Sequence, residues 1–402
     1  MSKHWKVLMV CCGLTAASIG LSINASGVFY TPVSESLNIG RGDFAMHMTI
    51  FSLVTAISAL FVPKIMEKME YKKLLTLNVM IAVISTAIMA ICRHLIVFYI
   101  LGAIRGVSTG MFSIVPITII MNHWFEEKHG LATSIVFSCS GLAGSIFSPI
   151  LTNCIEMWGR QIGYVIKALL ILLLCLPAML YSFYVDPQDE GLLPYGFKES
   201  KKVKDENTKK HFSFLTIGFI SFFAFSLLCS FITSVTQHLP GYGETLGYSA
   251  QISSMLLSAS MIGNILSKLV MGVLSDKIGA IKATFVMSLC NILGILFLMN
   301  GSFAGMLILG ALLFGSCYAI GAVALPLLTK HLMGTNNYAF VFPKISFASN
   351  VGSAISISLV GYIYDIFGSY MYAFVFALVF IILYLILLWI ATKYYQRKLK
   401  LH

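Results

Sequence analysis

SMIGNILSKLVMGVLSDKIGAIK, Ser260–Lys282, joins a membrane crossing, a cation inside it and a short charged turn leading into the next apolar run. Together with the apolar residues before it, from 250 onward, the crossing reaches the roughly 20 residues that a helix needs to traverse about 30 Å of hydrocarbon. The backbone must then satisfy its own hydrogen bonds, so the segment reads as a helix. At its end an acid, Asp276, is followed by Lys277 and Lys282, and a new apolar run starts.

Working outward, the same grammar recurs along all 402 residues. Apolar runs are predicted at 7–33, 44–63, 74–92, 95–121, 131–153, 162–185, 213–238, 250–274, 281–300, 303–328, 341–364 and 369–391. The fold class expected is an all-α integral membrane protein of twelve transmembrane helices. Composition agrees, with 58% hydrophobic and 11% charged residues, where a soluble chain carries about 25% charged. The net charge of +11 is then topological and does not point to nucleic acid, because 21 of the 27 cations fall in alternate loops or at the termini. By the positive-inside rule those loops, and both termini, face the cytoplasm; the expected location is the plasma (inner) membrane. The first apolar run is too long for a cleavable signal. The nine cysteines, among them Cys11, Cys92, Cys139 and Cys290, show no metal or redox spacing and read as free thiols.

The longest polar stretch, 186–211, contains DPQDEGLLPYG and then six lysines between Lys198 and Lys210. It is expected to be a cytoplasmic linker between two six-helix bundles, residues 1–185 and 212–402. A weak repeat supports the duplication. PKIMEKMEYKK (Pro63–Lys73) after the second span matches GVLSDKIGAIK (Gly272–Lys282) after the eighth, with Glu67 and Asp276 separated by 209 positions. Duplicated halves place a substrate site between them near the midplane.

GxLxDxxGxxK between spans resembles the loop signature of the major facilitator superfamily. HWFEEKHGLA (His123–Ala132), GLLPYG (Gly191–Gly196) and GYIYDIFGSY (Gly361–Tyr370) are similar to segments of its monocarboxylate porter and oxalate:formate antiporter group. The resemblance implies the major facilitator fold, two pseudo-symmetric bundles rocking around a central site. It also implies that a basic residue in the eighth span, followed by x-x-x-G, contacts a substrate carboxylate. Lys268 with Gly272 fits that spacing, and Asn264 stands where some members carry a coupling acid. The lysine expected near Ser349 in the eleventh span is replaced by serine and asparagine, which favours one carboxylate over two. Arg105 resembles the arginine of the superfamily's fourth-span motif.

Read from the residues alone, charges within a span cost at least about 2.5–3.5 kcal/mol and mark function. Lys268 and Arg105 are the leading cations; Lys167 lies near enough to a span end to snorkel. Gly102, Gly106 and Gly110 give the Arg105 helix a smooth face. Polar stripes supply Asn24 and Tyr30 in the first span, Ser230, Ser234 and Gln237 in the seventh, and Ser349, Asn350 and Ser353 in the eleventh. These read either as cavity lining or as helix packing. His47 and His238 are candidate proton carriers. Glu67, Asp276 and Lys277 are candidate gating residues, and Asp365 reads as structural. No nucleotide-binding, enzyme or metal constellation is present in the sequence, and no cofactor is expected. The expected function is secondary transport of a small organic anion, a monocarboxylate, by proton symport or anion exchange, by a protein working as a monomer. Protons or a counter-anion and the lipid bilayer are its partners. The alternative is export of amphipathic drugs or metabolites, with the 29 Phe and 20 Met lining a permissive cavity.

Overall fold

The computed structural model describes residues 2–59, 61–127, 129–197, 214–301 and 303–400. Lys128 and the lysine-rich part of the linker, 198–211, lie outside them. Among the described residues twelve helices cross in alternating directions: Lys3–Leu37, Arg41–Ala59, Tyr71–Ile88, Leu95–Trp124, 129–158, 160–180, Ile217–Thr245, Ala250–Ile278, Ala280–Met299, Ala304–Met333, Thr335–Phe367 and Met371–Lys400. They are called spans 1–12. Spans 5 and 6 meet at Gly159, whose φ of 80° and ψ of 167° break the helix in a conformation open to glycine. The expected all-helical membrane fold is the one observed. Several ends differ by a few residues. Span 7, expected to stop at 238, continues to Thr245, because Pro240 sits at the start of a resumed helix, where its missing N–H costs nothing.

The buried apolar residues form two clusters. One runs from Val7 to Phe183 with a few residues of the second half; the other runs from Phe219 to Tyr395. Large apolar side chains such as Ile91, Leu173, Leu180 and Trp389 are exposed around the outside, as a lipid-facing surface requires. The smooth glycine face of span 4 packs on span 2. A Cβ on Gly102 would stand 2.6 Å from the His47 carbonyl oxygen, and one on Gly106 2.7 Å from that of Phe51.

Irregular backbone recurs in both halves at matching places. Span 1 tightens into a 3₁₀ turn at Asn24–Phe29, after a π-helical segment at Ala16–Leu21. Span 7 does the same at Ser234–His238. Span 4 is interrupted after Gly110, and span 10 carries a π-helical segment at Ile320–Ala324. Such interruptions inside membrane helices are tolerated where protein buries them, and they cluster at functional places.

The sequence segments HWFEEKHGLA and GLLPYG, 60 and more residues apart, are packed together. The Tyr195 amide donates to the Trp124 carbonyl at 2.8 Å, and the Glu126 and Glu127 amides donate to the Tyr195 carbonyl at 3.1 and 3.0 Å. Trp124 Nε1 donates to the Tyr184 carbonyl at 3.0 Å. The His4 ring lies edge-on to Trp124, 5.5 Å between centroids, and Lys3 pairs with Glu190. The start of the linker is thereby clasped to the first helix and to the end of span 4.

Candidate functional site

Span 8 places Asn264 and Lys268 one turn apart. Asn264 is buried, and its Oδ1 has no hydrogen-bond partner. Lys268 is half-buried, within electrostatic reach of Cys317 on span 10. Among the described residues its ammonium makes no hydrogen bond or ion pair. Across the interface Asn24 donates from Nδ2 to the Ser140 carbonyl at 3.1 Å, tying span 1 to span 5. Span 5 in turn meets span 8, since a Cβ on Gly141 would lie 2.8 Å from Ile265 Cγ1. The Asn24 and Asn264 positions are therefore on neighbouring helices of opposite halves.

The halves are joined at the end opposite Lys3, called the far end. The two 3₁₀ turns meet there. Tyr30 Oη donates to Gln237 Oε1 at 2.8 Å, and the Tyr30 ring is 5.0 Å from that of His238. Gly27 is in such close contact that a Cβ would stand 2.0 Å from the Gln237 carbonyl oxygen. Spans 2 and 11 close alongside. Asp365 accepts from the backbone amides of Arg41 and Gly42 at 2.9 and 2.7 Å. The Arg41 guanidinium lies 4.4 Å from the Tyr364 ring centroid and donates to Tyr370 Oη at 3.0 Å and the Gly241 carbonyl at 3.3 Å. Thr49 donates to the Ala354 carbonyl at 2.7 Å, and Gln251 on span 8 pairs with Asn153 on span 5. Sequence reasoning did not single out Arg41, and it took Asp365 as structural. Both residues sit at the same end of the bundle by topology, which was the available signal.

At the Lys3 end, Glu67, Asp276 and Lys277 are exposed. Among the described residues none of them makes an ion pair, and no cross-half hydrogen bond occurs at that end. Among the described residues the hydrogen bonds between the halves therefore gather at the far end.

The serine stripes of spans 7 and 11 face each other. Ser226 donates to the Ile345 carbonyl at 2.7 Å, Ser230 pairs with Ser349, Ser234 donates to the Ser353 carbonyl at 2.8 Å, and His238 Nε2 donates to the Ile357 carbonyl at 2.8 Å. The rungs repeat every four residues on both helices, which makes the stripe a helix-packing ladder. Ser349 is spent on it. Asn350, one residue on, is exposed and makes no hydrogen bond among the described residues. His238 keeps one free nitrogen, Nδ1, buried and without a partner. His47 is buried, with Nδ1 2.5 Å from the Phe44 carbonyl of its own helix.

The first half contains a group of cations that sequence reading had spread apart. Arg105 is 1% exposed, and Lys167, expected to snorkel, is also 1% exposed. Lys167 Nζ donates to Ser26 Oγ at 2.9 Å and lies 5.0 Å from the Phe29 ring centroid. Arg105 lies 5.2 Å from the Phe51 ring centroid, and its Nη2 has no partner. Arg160, between the runs predicted at 131–153 and 162–185, is 8% exposed and donates from Nη2 to the Cys92 carbonyl at 3.1 Å, with Nε and Nη1 unpartnered. Among the described residues none of the three pairs with an acid. Aromatic faces offset about 2 kcal/mol at desolvated sites, while burying an ion costs several. The spacing Arg160, Tyr164, Lys167 on one helix face was the signal in the sequence.

The sequence profile of the Major Facilitator Superfamily matches residues 11–342 and 214–401. The chain is 24% identical over 313 residues to the MFS-type transporter pynF of Aspergillus niger, covering 73% of this chain and 66% of that protein. It is 24% identical over 295 residues to Monocarboxylate transporter 12 of Xenopus laevis, covering 67% of this chain and 64% of that protein. Among solved structures, a bacterial homologue of the human lysosomal transporter Spinster, in an inward-facing and unoccupied conformation, superposes with a TM-score of 0.73 at 12% identity, covering 99% of this chain and 98% of that one.

Proposed function

The chain belongs to the major facilitator superfamily and is a secondary transporter rather than an enzyme, and on that premise we propose that its cargo is a small organic anion, a monocarboxylate, carried by proton symport or anion exchange. One observation carries the reading. Lys268 presents a cation within span 8 with no acid bound to it, one turn from an asparagine whose buried amide has a free end. A single carboxylate supplies the charge that Lys268 lacks, and low-dielectric walls strengthen the attraction. The free end of Asn264 is its Oδ1, an acceptor, and it takes a hydrogen-bond donor of the same substrate. The name of the Xenopus relative, a monocarboxylate transporter, agrees with this chemistry.

The cation distribution supports a cytoplasmic Lys3 end, and the membrane proposed is the plasma (inner) membrane. The conformation is then inward-facing: the far end is bolted by Tyr30–Gln237 and Asp365–Arg41. Glu67, Asp276 and Lys277 stand at the mouth and form the inner gate when the halves rock. His238, with Nδ1 free between the halves, is better placed than His47 to carry a proton in symport.

The test is uptake and counterflow of small carboxylates in proteoliposomes with wild type, Lys268→Arg and Lys268→Ala. A charge-assisted hydrogen bond of about 1.5–3 kcal/mol predicts a loss of roughly ten- to hundredfold in Lys268→Ala and partial retention in Lys268→Arg. Undiminished carboxylate transport by Lys268→Ala refutes the role. A wild-type profile indifferent to the carboxylate favours amphipathic cargo.

A further inference from the structure

We propose that the interior of the first bundle holds a small monovalent anion between Arg105 of span 4 and Lys167 of span 6, at a site separate from Lys268. Donors outnumber acceptors in this region, and its charge is unbalanced. Arg105 Nη2 and Tyr164 Oη are both buried without a partner, and Lys167 Nζ uses one of its three protons on Ser26. Arg105 stands within electrostatic reach of both Tyr164 and Lys167. Arg160, a turn from Tyr164 on the same helix, adds a third buried cation with two unpartnered nitrogens. A protein interior seldom leaves so many donors idle. What they lack in common is an acceptor carrying negative charge, and the described residues offer no acid to provide it.

Neither aromatic contact meets that need. Phe29 and Phe51 present ring faces to Lys167 and Arg105, which softens the charge and satisfies no N–H. Water would satisfy hydrogen bonds without neutralising anything. A halide, or the head of a small carboxylate, does both. The site draws its side chains from spans 1, 2, 4 and 6 of one half: Ser26, Phe29, Phe51, Arg105, Tyr164 and Lys167. It therefore travels as a unit when the halves rock. The anion so held lets the cations stay buried through the cycle without drawing the cargo away from Lys268.

The experiment uses the purified full chain in nanodiscs, with thermal unfolding followed as sodium bromide replaces sodium methanesulfonate at constant ionic strength. Ligand binding to the folded state raises the midpoint in a saturable way. The expected result is such a rise in wild type, with the half-saturating concentration raised at least tenfold in Lys167→Met and in Arg105→Gln. Lys268→Ala keeps the wild-type response, so this proposal stands or falls apart from the carboxylate reading. A parallel titration with acetate in Lys268→Ala, which removes the cargo site, identifies the source: bromide alone marks an inorganic anion, and equal effects of both mark a carboxylate head. Should the variants not fold, anomalous scattering from bromide-soaked wild-type crystals replaces them, with a buried peak expected between Arg105 and Lys167. A midpoint indifferent to the anion, a response unchanged in both variants, or no buried peak overturns the proposal.

Discussion

Tyr30 Oη and Gln237 Oε1 lie 2.8 Å apart across the two halves, both buried, where the 3₁₀ turn of span 1 meets that of span 7. The bond exists only while the far end is shut. Tyr30→Phe keeps the ring packing and strands Gln237 Oε1 in a dry interface, at a cost of about 1–3 kcal/mol. Because the bond contributes to one conformation alone, that cost falls on the closed far end. The expected outcome is a roughly 5- to 150-fold shift toward the opposite state. Labelling of a single cysteine at the far-end surface, faster in the variant than in the parent, checks it.

Asp365 is the second bolt. Its carboxylate receives two amides at the first turn of span 2, Arg41 and Gly42, so its charge also lies at a helix N-terminus. Asp365 is exposed, so screening trims the benefit to about 1 kcal/mol. Asp365→Ala removes both bonds and Asp365→Asn keeps an oxygen acceptor without the charge. The predicted order of far-end opening is Ala above Asn above wild type. Spin-label distances across the far end give the populations. An unchanged distance distribution in Asp365→Ala would show that the other cross-half bonds, Tyr30–Gln237 and Arg41–Tyr370 among them, hold the end without it.

The twelve crossings were legible because hydrocarbon imposes one length and one backbone solution on every span. Their ends were less legible. Hydropathy reports where lipid begins, and the helix of span 7 continues past that point to Thr245. The Lys268–Asn264 pair was legible from spacing on a single helix. The serine stripes were legible as stripes, though not as a ladder, because the partner of Ser230 lies 119 residues away on span 11. The burial of Lys167 and Arg160 was not legible for a related reason. A position near a span end permits snorkelling, and only the tertiary packing, against Ser26 and Phe29 for Lys167 and against Cys92 for Arg160, decides that both are instead enclosed.

His238 combines a structural bond with a free nitrogen. Nε2 donates to the Ile357 carbonyl, and Nδ1 is left as a lone pair in the closure, between Tyr30 and Tyr370. His238→Gln retains a donor for Ile357 and cannot take up a proton near neutral pH. Under a symport mechanism the expected variant folds, exchanges substrate in counterflow at near wild-type rate, and no longer accumulates it when an acid-outside gradient is imposed. Retained gradient-driven accumulation would remove His238 from the coupling path. The two assays separate a carrier from a merely structural rung, since loss of the rung slows both.

Gly27 tests whether the two halves close by contact at the turns themselves. A Cβ there would meet the Gln237 carbonyl oxygen at 2.0 Å, well inside van der Waals contact, and the obstructing atom is backbone belonging to the other half. Gly106→Ala creates a comparable collision, 2.7 Å to the Phe51 carbonyl oxygen, within one half. The two clashes have different routes of relief. Inside a bundle the helices must part, and overpacking of that kind costs about 1–3 kcal/mol of fold stability. Between bundles the far end opens, and each bundle keeps its own packing. Gly27→Ala should therefore lengthen the distance between labels at Glu35 and Thr245, both exposed at the far end, with a small change in melting temperature. Gly106→Ala should lower the melting temperature and leave that distance alone. A melting loss in Gly27→Ala with no change in distance would mean that the closure is rigid and that the halves rock about a hinge elsewhere.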